Sequence, residues 1–125
     1  LSPAQDMTTL AGNTVSAAEC DILVRMISLG QPHRAIPDTG ALCIAATARV
    51  DGSLVSGMFD TTRYGSELRL AHPSGVTSVD AQLEKRNGNW YATSATIYRT
   101  ARRLMDGYVY MPAARTPGLG VVPEL

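Results

Sequence analysis

The sequence predicts an α+β domain in which a curved, mostly antiparallel sheet wraps barrel-like around one buried central helix. Three observations carry this. Residues 39–46 hold no charged side chain, so a helix there has no strongly polar face to give to water and is expected to be surrounded. Beyond residue 65 the chain alternates apolar and polar side chains over segments of strand length. Between those segments lie "PSG" and "RNGN", which are turn compositions.

The elements follow in chain order. Ser16 with Glu19 three positions on forms a capping-box pattern, and Cys20, Leu23, Val24 and Ile27 recur at helical spacing. A first helix is expected over 17–29, with Asp21 and Arg25 on its solvent side, Gly30 as its C-terminal cap and Pro32 preventing continuation. Asp38 is the expected N-cap of the central helix, which should end before Asp51-Gly52. Strands are expected in "SELRLAH", "VTSVDAQLE", "WYATSATIYR" and "LMDGYVYMP". Thr77, Val79, Ala81 and Leu83 share one face of the second of these. The domain is placed at 1–112, and 113–125, with two prolines and two glycines, is expected to be an irregular tail.

Composition narrows the function. The chain has 125 residues, 45% of them hydrophobic, enough for one small core. Eleven basic and eleven acidic side chains cancel and form no long run of either sign, which argues against a nucleic-acid partner. No apolar stretch reaches the roughly 20 residues of a membrane span, and no signal pattern opens the chain, so a cytoplasmic protein is expected. The chain begins at Leu1 rather than Met, which fits either a missing upstream segment or a stand-alone half. Cys20 and Cys43 fall on apolar faces and read as free structural thiols. His33 and His72 are the two histidines, and no Cys or His pair has metal-ligand spacing.

A helix N-terminus presents unpaired N–H groups and the positive end of the helix dipole, which together favour an anion. At the start of the central helix Thr39 adds a hydroxyl donor, and Gly40 permits close approach of a ligand. Otherwise Asp38 is an ordinary cap and Gly40 relieves crowding against a neighbouring strand. His33 and Arg34 stand just upstream, as anion contacts or as solvated surface.

The blocks "RMISLGQPHRAIPDTGALCIAATARVDGSLV", "LRLAHPSG" and "ATIYRTARRLMDGYVYMP" resemble, in that order and over roughly residues 15–112, the C-terminal part of the 2-methylaconitate cis-trans isomerase and 4-oxalomesaconate tautomerase family. The resemblance implies one lobe of a diaminopimelate epimerase-like fold, with a small carboxylate held between the helix N-termini of two lobes. It implies a proton shift beside a carboxylate with neither metal nor organic cofactor. Such chemistry needs a base, an acid and fixed donors for the developing charge.

The epimerase pattern Cys-Gly-Thr-Gly corresponds here to Pro37-Asp38-Thr39-Gly40. The thiol is therefore absent, and Cys43 lies about a turn inside the helix. The resemblance puts the acid and base chiefly in the N-terminal lobe, so no catalytic residue is assigned in this chain, and its one lysine, Lys85, is expected to be exposed. His33, Thr39, Gly40, Ser74 and Gly75 are the expected substrate-binding residues. His33 either donates to a carboxylate or caps the preceding helix. Ser74 and Gly75 either face a carboxylate or simply form the turn. Arg99, Arg102 and Arg103 suit a carboxylate clamp by chemistry, but adjacent strand positions point apart, which favours surface roles. Two expectations follow: a substrate-binding lobe that needs its N-terminal partner lobe, or a stand-alone homodimeric module that binds small carboxylates without turning them over.

Overall fold

The computed structural model describes residues 1–59, 67–112 and 115. Its strands are β1 (Ser2–Pro3), β2 (Met7–Thr8), β3 (Thr14–Val15), β4 (Ile22–Leu23), β5 (Ile27–Ser28), β6 (Gln31–Pro32), β7 (Leu68–His72), β8 (Gly75–Arg86) and β9 (Asn89–Ile97), with one α-helix, α1 (Asp38–Ala48), between β6 and β7. Five strands form a sheet in the order β1-β4-β7-β8-β9, and β2-β3 and β5-β6 are separate hairpins. Every pairing in the sheet is antiparallel except β4 with β7.

The first helix expected from the sequence is replaced by a short 3-10 turn, Ala17–Glu19. The capping pattern does form, since the Ser16 N–H donates to the Glu19 carboxylate at 2.9 Å. The chain then turns extended at Cys20. Ile22 and Leu23 pair in register with Leu70 and Ala71 of β7. Ile22 and Val24 pack with the core on one side of the sheet, and Leu23 packs with Met7, Val15, Cys20 and Ala71 on the other. A short apolar run buried on both faces has no alternation to distinguish it from a helix, and its β-branched residues favour the strand once a partner is present.

Two neighbouring expectations change with it. Gly30 caps no helix; with Leu29 it forms the β5–β6 hairpin turn, at φ 74° and 50°. Asp21 faces the interior rather than solvent, and is buried.

α1 ends at Ala48, where the Arg49 N–H donates to the Ala46 carbonyl and the Val50 N–H to the Thr47 carbonyl, each at 3.1 Å. Its buried face is Ala41, Ala45 and Ala48, small residues that let it lie close over the sheet with Val79, Ala81 and Leu70. The opposite stripe, Thr39, Cys43 and Thr47 at four-residue spacing, is exposed. Among the described residues the helix is therefore covered on one side and not enclosed, and the sheet is open rather than a closed barrel. Lack of charge does not compel burial when the outward positions are neutral Thr and Cys. Cys43 is accordingly exposed, while Cys20 is buried as expected.

The later strands match their expected places. Val79 and Ala81 are buried beneath α1 with Leu83 partly covered, and Asn87 and Gly88 turn β8 into β9 at φ 51° and 82°. The strand expected in "LMDGYVYMP" is not formed. The segment 98–112 has no regular structure, and Leu104, Met105, Tyr108, Val109 and Tyr110 are exposed. Among the described residues no strand pairs with it, and a lone strand has nothing to satisfy its backbone. The tail at 113–125 lies outside the described residues apart from Arg115. No helix among them is long and apolar enough to cross a membrane.

Candidate carboxylate site at the start of the helix

The extended backbone of Pro37 leads into α1, and its carbonyl accepts the Ala41 N–H at 2.9 Å. The N–H groups of Asp38, Thr39 and Gly40 consequently have no partner within the helix, and they sit at the positive end of its dipole. Asp38 is not the expected cap. Pro37 holds that position, no side chain caps the helix, and Asp38 lies in the first turn. Its carboxylate is paired instead with the guanidinium of Arg99, from the segment following β9. Both side chains are largely exposed, so the pair adds little stability. Its consequence is positional: a guanidinium is held at the first turn of α1 through the Asp38 side chain.

Thr39 is exposed and Gly40 half-buried. A Cβ on Gly40 would lie 3.7 Å from the Ile36 side chain and 3.8 Å from that of Met26, which is ordinary contact. Relief of crowding against a strand is therefore not the reason for glycine here.

The β7–β8 turn is tied to the chain leading into α1. Ser74 is exposed and its hydroxyl donates to the Arg34 carbonyl at 2.8 Å, while its N–H donates to His72 Nδ1 at 3.2 Å. Because Nδ1 accepts, the neutral ring carries its hydrogen on Nε2, which lies 2.8 Å from Thr77 Oγ1. Burial holds the His72 imidazole below its ordinary range, the Arg25 charge acts in the same direction, and the Arg34 carbonyl opposes them.

Gly75 opens β8 opposite His72 at φ 134°, a backbone requirement of the turn. His33 is exposed. Its N–H continues the β5–β6 hairpin by donating to the Met26 carbonyl at 2.8 Å, and no hydrogen bond among the described residues links its ring to Thr39 or Ser74. Thr39 and Gly40 thus share the helix start, and Ser74 is bonded to its lead-in. Lys85 is exposed near the β8–β9 turn, with its ammonium 5.5 Å from the centre of the Trp90 ring.

Sequence reasoning missed His72 and Thr77. The signal was the histidine in "HPSG", at the end of a strand and two positions before Ser74. Among the described residues, no three His, Cys, Asp or Glu side chains are grouped so as to hold a metal ion.

The PrpF protein family matches residues 1–112. This chain belongs to the PrpF family. The 2-methyl-aconitate isomerase of Shewanella oneidensis is 36% identical to it over 117 residues, covering 90% of this chain and 28% of that protein. The 4-oxalomesaconate tautomerase of Pseudomonas putida is 35% identical over 79 residues, covering 62% of this chain and 20% of that one. Among solved structures, the crystal structure of methylitaconate-delta-isomerase is similar over 98% of this PrpF-family chain and 31% of its own, with a TM-score of 0.67 and 29% identity. The chain spans about a quarter of the length of the curated relatives it matches.

Proposed function

We propose that this chain is the C-terminal, substrate-binding lobe of a cofactor-independent isomerase or tautomerase that shifts a proton and a double bond in a small unsaturated di- or tricarboxylate. The observation that carries this is the start of α1: three backbone N–H groups without helical partners at the positive end of the dipole, with an arginine paired to Asp38 in the first turn, in a family whose named relatives isomerise such acids. Thr39, Gly40 and the neighbouring backbone hold one carboxylate. Ser74 and Gly75 fix the adjoining turn, and His33 lies at the approach.

The lobe belongs to a diaminopimelate epimerase-like arrangement, in which a second lobe closes over the helix start and brings the acid and base. Pro37 stands where the epimerase pattern has its thiol and cannot transfer a proton, and Lys85 is at a distant turn. This chain alone therefore binds substrate without turning it over. An NMR assay with a 2-methylaconitate-type acid tests this. No isomerisation by the chain alone is expected, and robust turnover abolished by Thr39→Ala would overturn it.

A second reading, a homodimeric carboxylate-binding module without catalysis, draws on the exposed apolar side chains of 104–110. Such a surface is normally covered by another lobe or another copy.

A further inference from the structure

Beyond the paired end of β8 and β9, where the Tyr98 N–H donates to the Ser78 carbonyl at 3.0 Å, an open cleft of about 340 Å³ is lined by Val76, Thr77, Ser78, Tyr98, Arg99 and Thr100. Two of these residues reach back to features already described. Arg99 forms the ion pair with Asp38 in the first turn of α1. Thr77 is the hydrogen-bond partner of His72.

The His72 contact has a directional consequence. Nδ1 is occupied as an acceptor by the Ser74 N–H, so Nε2 donates to Thr77 Oγ1. A hydroxyl that accepts at its oxygen from one side keeps its own hydrogen to donate elsewhere. Thr77 is thereby set as a donor on a residue that lines the cleft. Arg99 contributes the second donor. Asp38 engages one terminal nitrogen of its guanidinium, and a planar fork with five N–H groups can hold a further carboxylate.

We infer that this cleft is a subsite for a second carboxylate of the ligand, held by the Thr77 hydroxyl and the Arg99 guanidinium, with His72 as a positioning residue behind Thr77. The inference rests on the reading that the start of α1 takes the first carboxylate. It accounts for the position of Arg99, whose exposed pair with Asp38 does little for stability but joins the two places. It also sets the ligand class: acids with two or more carboxylates bind more tightly than monocarboxylates, because only they reach both donor sets.

The test is an NMR shift titration of this chain with tricarballylate and, separately, with propionate. Arg99→Lys keeps a positive charge beside Asp38 but removes the fork, and Thr77→Val removes the hydroxyl while keeping the shape. Each is expected to lower the ratio of tricarballylate to propionate affinity about tenfold, the usual scale for one charge-assisted hydrogen bond. Thr77→Ser should restore the ratio. Arg99 is exposed, so its variant stays informative even if Thr77→Val unfolds.

Tricarballylate binding with an unchanged ratio in Arg99→Lys and in folded Thr77→Val would overturn the cleft and leave the helix-start reading standing. Absence of binding by either acid would overturn both. Restoration in Thr77→Ser also separates hydrogen bonding from a merely structural effect on His72.

Discussion

Asp21 and Arg69 lock β4 to β7 with a two-pronged contact. The Arg69 Nη2 donates to Asp21 Oδ1 at 2.7 Å, and the Arg69 backbone N–H donates to Oδ2 at the same distance. The Arg69 Nη1 also reaches the Ala18 carbonyl at 2.9 Å. The Asp21 side chain is completely buried, while that of Arg69 retains 27% of its exposure.

Removing the carboxylate should leave a partly buried guanidinium and a backbone donor without their acceptor. Asp21→Ala is expected to destabilise the fold by about 3 kcal/mol, near the low end for broken buried pairs because Arg69 still touches water. Urea unfolding measures this. A loss no larger than that of an exposed pair would show that the contact is incidental.

The same pair shows why part of the fold was hidden in the sequence. β7, β8, β9 and the α1 segment were legible, because alternation and "RNGN" specify a hairpin locally and the uncharged run at 39–46 specifies a helix. Residues 20–24 were not, because their strand exists through pairing with β1 and with β7, the latter some fifty positions away. Periodicity alone made them helical and sent Asp21 to solvent. Thr39 and Gly40 were legible as the start of a helix and Ser74 as part of a turn. The partnership of Arg99 with Asp38, and of His72 with Thr77, depends on tertiary placement that no local pattern encodes.

Acid should weaken the fold in two separate ranges. The unfolded histidine takes a proton at about pH 6.5, before folded His72 does, because burial chiefly, and Arg25 next, lower the folded value. Stability is therefore full above that pH and declines as the pH falls through the lowered folded value. Glu19, held low first by its backbone hydrogen bond at Ser16, loses its contribution only further down, as the pH drops below the ordinary carboxylate value of about 4.3. Urea midpoints between pH 7.5 and 5.5 should fall for the parent chain and stay flatter for His72→Gln. Equal slopes would remove His72 as the cause.

The two thiols should differ sharply. Cys43 is on the exposed stripe of α1, whereas Cys20 is buried, and burial chiefly pushes its thiol above the usual range. A thiol reagent at neutral pH is expected to label Cys43 promptly and Cys20 only after denaturant is added. Equal rates in the native protein would contradict the packing of Cys20 against Met7 and Val15.

The exposed side chains Leu104, Met105, Tyr108, Val109 and Tyr110 should drive self-association when no other lobe is present. Sedimentation of this chain is expected to give a dimer at micromolar concentration. A monomer at high micromolar concentration would leave the homodimeric reading without support.

The central claim, that the start of α1 receives a carboxylate, is tested most directly by mapping backbone amide shifts while tricarballylate is added to the chain. The amides of Asp38, Thr39 and Gly40 are expected to move first and saturably, with Lys85 unmoved, because these N–H groups, without partners within the helix, are the donors. Shifts that cluster on the sheet surface remote from α1 while residues 38–40 stay still would make the helix start an ordinary terminus and contradict the account.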